Sequence, residues 1–172
     1  MKPLPRQPAP SLSVPTVGGD RWKLSEQSPD SFTFIVFYRG LHCPVCKKQL
    51  QSLQDKLDAF YDKGVGVIAV SMDDAARARK TRADWDLDRL TVGYDLAADD
   101  ARAWGLYLSS GKEKEPDVFS EPGLALVSSD GNLYGIFLQS MPFARPRLDD
   151  VLGAVDFIKK NAYPARGELK AA

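Results

Sequence analysis

The chain has almost none of the residues from which covalent and metal frameworks are built: two cysteines and one histidine in 172 residues. Two cysteines three positions apart close too small a loop to restrain an unfolded chain, which excludes a stabilising disulfide framework. Structural zinc takes four ligands, and His42 beside two sulfurs leaves the set short unless a second subunit completes it. Neither sign of charge is in excess, 23 Lys and Arg facing 23 Asp and Glu, so the electrostatic footprint of a nucleic-acid binder is missing. No apolar run approaches the ~20 residues of a membrane helix. The stretch from Met1 to Pro8 lacks the apolar segment of a secretory signal, and a cytoplasmic location is the resulting expectation. Internal repeats are absent, no glycine-rich phosphate loop follows the first strong strand, and no motif calls for a cofactor.

What is present is an ordinary globular mixture, 44% hydrophobic and 27% charged, long enough to bury a core without staples. One domain over residues 1–172 is expected. Residues 1–30 read as an N-terminal extension covering a sheet edge, with a hairpin from Leu12 to Val17 and from Arg21 to Leu24 around Gly18-Gly19-Asp20. Phe32 to Tyr38 is continuously apolar, aromatic and β-branched, the pattern of a central strand buried on both faces. A helix follows, with Leu50, Leu53, Leu57 and Phe60 on one stripe, ending at Lys63-Gly64. Val65 to Ser71 is the next buried strand, and a strand, helix, strand unit implies a parallel pair.

Asp73 or Asp74 caps a second helix running to about Asp86, and Thr91 to Tyr94 is a short strand. Asp99 to Trp104 reads as a short helix, and the polar stretch from Ser109 to Ser120 as a mobile surface loop. A hairpin of Leu124 to Ser128 and Leu133 to Leu138 turns at Ser129-Asp130-Gly131-Asn132, and an amphipathic helix from Leu148 to Lys160 closes the chain. The order predicts an α/β arrangement with a mixed central sheet and helices on both faces. A flavodoxin-like doubly wound sheet would end on parallel strands rather than on a hairpin.

Cys43-Pro44-Val45-Cys46 stands where the first buried strand hands over to its helix. A helix start carries about half a positive charge and unpaired N–H groups, which favour a thiolate. Pro44 suits the first helical position, making Cys43 the N-cap, whose sulfur can accept from the N–H of Val45 or Cys46. CxxC pairs at helix starts have pKa values of about 3.5 to 7.5 against about 8.5 for a free cysteine. The pair therefore reads as a redox centre rather than as two inert buried thiols. His42, adjacent to Cys43, is a candidate to hold the thiolate or exchange protons, with an exposed loop histidine as the plainer alternative.

These residues give the chain a resemblance to a known family. Ala9-Pro10 and the following hairpin, the run Phe37-Tyr38-Arg39-Gly40-Leu41-His42-Cys43-Pro44-Val45-Cys46, the strand ending Val67 to Asp73, and Asp95 to Gly105 are similar to the peroxiredoxin branch of the thioredoxin superfamily. The likeness is to the alkyl hydroperoxide reductase/thiol-specific antioxidant group, particularly its members with a CxxC. It implies a thioredoxin-like fold, with Cys43 at the family's threonine and Cys46 at its peroxidatic cysteine. Two features depart from the pattern. Arg39 stands where a proline normally follows the tyrosine, and the arginine ahead of the later buried strand has no counterpart, since no Arg lies between Arg102 and Arg145. Near that place Glu121-Pro122-Gly123 looks like the cis-proline turn that faces the CxxC of thioredoxins. Arg39 or Arg145 could substitute for the arginine, an ordinary solvated side chain being the default for both.

The resemblance implies reduction of a hydroperoxide by Cys46, resolution by Cys43 to an internal disulfide, and re-reduction by thioredoxin or glutathione. The helix-cap argument instead favours Cys43 as nucleophile, as in thioredoxin-like attack on a partner's disulfide. A non-enzymatic redox sensor or binding module, recognising its partner through residues 109–120, is the alternative of another class. A homodimer joined at a sheet edge is a further implication of the resemblance.

Overall fold

A computed structural model of the chain describes residues 2–170. At its centre is a five-stranded sheet. Strands β3 (Phe32–Phe37), β4 (Val65–Val70) and β5 (Val92–Gly93) run parallel, β8 (Gly123–Ser128) pairs antiparallel with β3, and β9 (Leu133–Leu138) pairs antiparallel with β8, in the order β5-β4-β3-β8-β9. Residue by residue, β3 and the position after it send Phe32, Phe34, Val36 and Tyr38 to one face and Ile35 and Phe37 to the other. This alternation is why a strand with every residue buried serves two cores at once.

On the first face, Leu50 and Leu53 of α1 (Pro44–Asp55), Leu57 and Phe60 of α2 (Leu57–Asp62) and Leu148, Val151 and Val155 of α5 (Leu148–Asn161) pack on the sheet. The other face is covered by Ala101 of α4 (Ala98–Ala103), by Trp104 and by Leu12 and Val14 of the N-terminal segment. The apolar stripe predicted as one helix up to Lys63 is divided. At Lys56 the backbone leaves helical geometry (ψ 5°) and its N–H bonds to the carbonyl of Leu53, three residues back, so α1 and α2 meet at a tight turn. The stripe survives the break because Leu57 and Phe60 stay buried.

The N-terminal hairpin, β1 (Ser13–Pro15) with β2 (Arg21–Lys23), lies along the β5 edge, through Val17 N–H to the Val92 carbonyl and Tyr94 N–H to the Pro15 carbonyl. Asp74 caps α3 (Ala75–Asp84), its Oδ1 accepting from Arg77 N–H at 2.8 Å. Residues 109–120 differ from the predicted loop. β6 (Leu108–Ser110) and β7 (Val118–Ser120) pair as a second hairpin, because Phe119, the one aromatic residue in a polar stretch, is fully buried and anchors it.

Candidate active site

The site is assembled by the turn between β3 and α1. Gly40 has φ +130°, and a β-carbon there would lie 2.7 Å from the carboxylate of Asp73, so only glycine permits the approach. Asp73, buried three residues beyond the end of β4, accepts from Leu41 N–H at 2.7 Å and from Arg77 Nε at 2.8 Å. Cys43 N–H in turn donates to the Gly40 carbonyl at 3.0 Å, which sets the chain for the helix. Cys43 is the N-cap of α1, Pro44 is the first helical residue, and Cys46 N–H donates to Cys43 Sγ at 3.2 Å. Both cysteines are free and buried.

Arg145 approaches the pair from the segment between β9 and α5. Its Nη2 lies 3.1 Å from Cys46 Sγ and 3.7 Å from Cys43 Sγ, so one guanidinium spans both sulfurs. Nη1 donates to Gln49 Oε1, on α1 one turn beyond Cys46, and Nε donates to the Pro142 carbonyl at 2.8 Å. The fork is thus aimed by two acceptors and leaves its third edge for the sulfurs. Arg39 N–H adds a donor to Cys46 Sγ at 3.4 Å.

Two thiols under one guanidinium titrate as a pair. Cys43 is drawn down to about 6, first by the hydrogen bond from the Cys46 thiol, against the cost of burial, and further by Cys46 N–H, Arg145 and Arg39. Burial, followed by the hydrogen bond to Cys43 and its charge, pushes the Cys46 thiol far up. The sulfur drawn down, Cys43, lies at a helix start and under a guanidinium, with the Cys46 N–H donating to it.

Of the residues singled out from the sequence, the structure brings Cys43, Cys46, Arg145 and the backbone of Arg39 together. The Arg39 side chain stacks over Phe119, 4.6 Å from its ring centre, and pairs with Glu121 Oε2 at 3.2 Å. His42 packs against the same ring, 4.6 Å from its centre, and neither ring nitrogen reaches a hydrogen-bond partner. Burial, then Arg39, holds its pKa down, so it is neutral at pH 7 and makes no ion pair with Glu115, 4.0 Å away.

Pro122 corrects an expectation. Among the described residues no peptide bond is cis. The chain at Glu121-Pro122 is held extended by Glu121 N–H to the Tyr107 carbonyl and by Gln139 N–H to the Pro122 carbonyl, and a trans bond feeds it straight into β8. Asp73, Gln49 and Glu121 were not recognised in the sequence as residues of the site. For Gln49 a signal existed, since it lies three residues after Cys46 on the same helix face. Asp73 reaches Leu41 and Glu121 reaches Arg39 across long stretches of chain, where no local spacing points.

Known proteins share this fold. A model of the AhpC/TSA family matches residues 5–136. No curated protein sequence matches. Among solved structures, peroxidoxin BcpB from Mycobacterium tuberculosis superposes with a TM-score of 0.74 at 16% identity, over 92% of this chain and 99% of that one. A mutant peroxiredoxin 6 of Arenicola marina gives 0.79 at 16% identity, over 92% and 74%. A peroxiredoxin-like protein from Aquifex aeolicus gives 0.71 at 19%, over 90% and 86%. The thioredoxin-like α/β fold expected from the sequence is the fold these proteins share.

Proposed function

Since the chain belongs to the AhpC/TSA family, we propose that it is a thiol peroxidase that reduces hydroperoxides through a dithiol/disulfide cycle of Cys43 and Cys46. The observation that carries this reading is the Arg145 guanidinium lying across both sulfurs. Peroxide reduction needs a thiolate on one oxygen and donors for the negative charge that develops on the other, and a preorganised guanidinium supplies them.

In the first step the Cys43 thiolate attacks the nearer peroxide oxygen. An S–O bond forms, the O–O bond breaks, and the departing alkoxide or hydroxide takes a proton to leave as alcohol or water. Cys46 sulfur then attacks the Cys43 sulfenic acid, forming the S–S bond, while its own proton and the released hydroxide leave as water. The two thiols supply the two electrons that the peroxide accepts. Two thiols of thioredoxin or glutathione return the disulfide to the dithiol.

The test is stopped-flow mixing of reduced protein with one equivalent of hydrogen peroxide. One peroxide is consumed and both thiols disappear. If the thiols persist while the same protein rapidly reduces insulin disulfides, the peroxidase reading is wrong. The second reading, disulfide exchange, then takes its place. It is favoured by the N-cap position of Cys43, as in any CxxC helix start that attacks disulfides.

The pH dependence follows from the lowered Cys43 pKa. With a midpoint of about 6, the thiolate fraction is nearly complete at pH 7 and falls as protons are added, so the oxidation rate at pH 5 is roughly a tenth of that at pH 7. A profile centred near 8.5, the value of a free cysteine, contradicts the assignment.

A further inference from the structure

Seven buried side-chain polar atoms among the described residues have no hydrogen-bond partner, and five belong to four residues grouped about Phe119 and the turn that leads to the dithiol: Arg39 Nε, both nitrogens of His42, Ser120 Oγ and Glu121 Oε2. Buried polar groups are nearly always satisfied, so a cluster of exceptions beside a reactive pair marks a place where stability has given way to another requirement. At its centre is an ion pair. Arg39 and Glu121 side chains are 16% and 6% exposed, and Arg39 Nε stands 3.2 Å from Glu121 Oε2. The N–H is not aligned on that oxygen, so the contact is Coulombic, without a linear hydrogen bond. Glu121 is fixed from its other oxygen, Oε1 accepting from Ser109 Oγ at 2.7 Å, and the guanidinium of Arg39 is fixed by the face of Phe119.

Two guanidinium groups therefore flank the cysteines and differ in their company. Arg145 has neutral partners, Gln49 and a backbone carbonyl, and presents its whole charge to the sulfurs. Arg39, whose backbone N–H faces Cys46 Sγ and whose side chain bears on Cys43, has a buried carboxylate against it. The remaining titratable groups at this face are His42, neutral at pH 7, Glu115, 4.0 Å from it, the Arg77–Asp73 pair, whose opposite charges both bear on His42, and the buried Tyr38 hydroxyl, which bears on Cys46.

We propose that Glu121 is a positioning residue that sets the reactivity of Cys43 by partly neutralising Arg39 and holding it on Phe119, so that Arg145 alone exerts its full charge on the dithiol. This rests on the reading of Cys43 as the attacking thiolate. A fully charged Arg39 would stabilise the thiolate further, and an over-stabilised thiolate is a poorer nucleophile, since nucleophilicity falls with pKa. The carboxylate keeps Cys43 near the pH at which it works.

The test is titration of the thiolate by its ultraviolet absorbance in reduced wild-type protein, Glu121→Gln, Arg39→Gln and the double variant. Glutamine keeps the size of Glu121 and its acceptor for Ser109, and it removes the charge. The thiolate in Glu121→Gln is expected to titrate about one pH unit lower than in wild type, from unmasking a charge at short range. Arg39→Gln is expected to titrate higher, and the double variant to return close to wild type. Loss of structure alone moves both single variants in the same direction, so opposite displacements that cancel are the signature of the charge pair. A Glu121→Gln titration at or above the wild-type pH overturns the proposal. Because the readout is ionisation, it stands apart from the peroxidase reading: a protein inert to peroxide still titrates, and an unmoved titration in a peroxide-reactive protein refutes Glu121's role alone.

Discussion

Replacing Arg145 with alanine is expected to slow oxidation of the dithiol by hydrogen peroxide about 100- to 1,000-fold, the loss seen when a preorganised donor to a developing oxyanion is removed, roughly 2.7–4 kcal/mol. The size follows from how the side chain is placed. Its Nη2 is the side-chain donor shared by both sulfurs, at 3.1 and 3.7 Å, and its other nitrogens are already committed to Gln49 and Pro142. Deleting it removes thiolate stabilisation and leaving-oxygen stabilisation together. Lysine restores the charge without the fork, so Arg145→Lys is expected to recover only part of the rate. Stopped-flow rates for the three proteins at pH 7 check this, and an alanine variant within about threefold of wild type, far short of the loss of an oxyanion donor, would remove Arg145 from the chemistry. The stability cost is expected to be small, because Arg145 lies on an irregular segment outside the two apolar cores.

The second large effect separates the sulfurs. Cys43→Ser is expected to lose the fast oxidation phase entirely, since the group at the helix start that carries the negative charge is gone. The remaining Cys46 thiol is buried, with its pKa pushed up by desolvation, and has little thiolate with which to attack. Cys46→Ser is expected to keep a fast first step, because the serine Oγ–H can replace the thiol as donor to Cys43 and the backbone N–H at that position is unchanged. It stalls there, having no sulfur to displace hydroxide. The opposite outcome, a fast phase surviving in Cys43→Ser, would transfer the attacking role to Cys46, as the family likeness alone implies.

Much of this architecture was legible in the sequence, and for identifiable reasons. Phe32 to Tyr38 announced a two-faced strand because every residue is apolar or β-branched, and both faces are indeed covered. Cys43-Pro44 announced a helix start because proline tolerates only the first turn, and Cys46 N–H duly reaches Cys43 Sγ. What was hidden depends on contacts between distant parts of the chain. Arg145 lies 99 positions from Cys46, and nothing in Pro142-Phe143-Ala144-Arg145 distinguishes a side chain folded over sulfur from one in water. Glu121-Pro122 resembled a cis-proline turn by composition, whereas backbone hydrogen bonds to Tyr107 and Gln139 hold it trans. Phe119, in a stretch that read as a mobile loop, becomes buried because Arg39 and His42 pack on it. The motif was local and its electrostatics were not.

The central claim is that Cys43 is the sulfur that takes oxygen from peroxide. It is tested most directly in Cys46→Ser, where the first intermediate cannot proceed. The reduced variant is treated with one equivalent of hydrogen peroxide in the presence of a sulfenic-acid trap such as dimedone, and the peptides are analysed by mass spectrometry. A stoichiometric adduct on Cys43, formed at the rate of the fast phase, is expected. An unmodified Cys43 after peroxide treatment would contradict it.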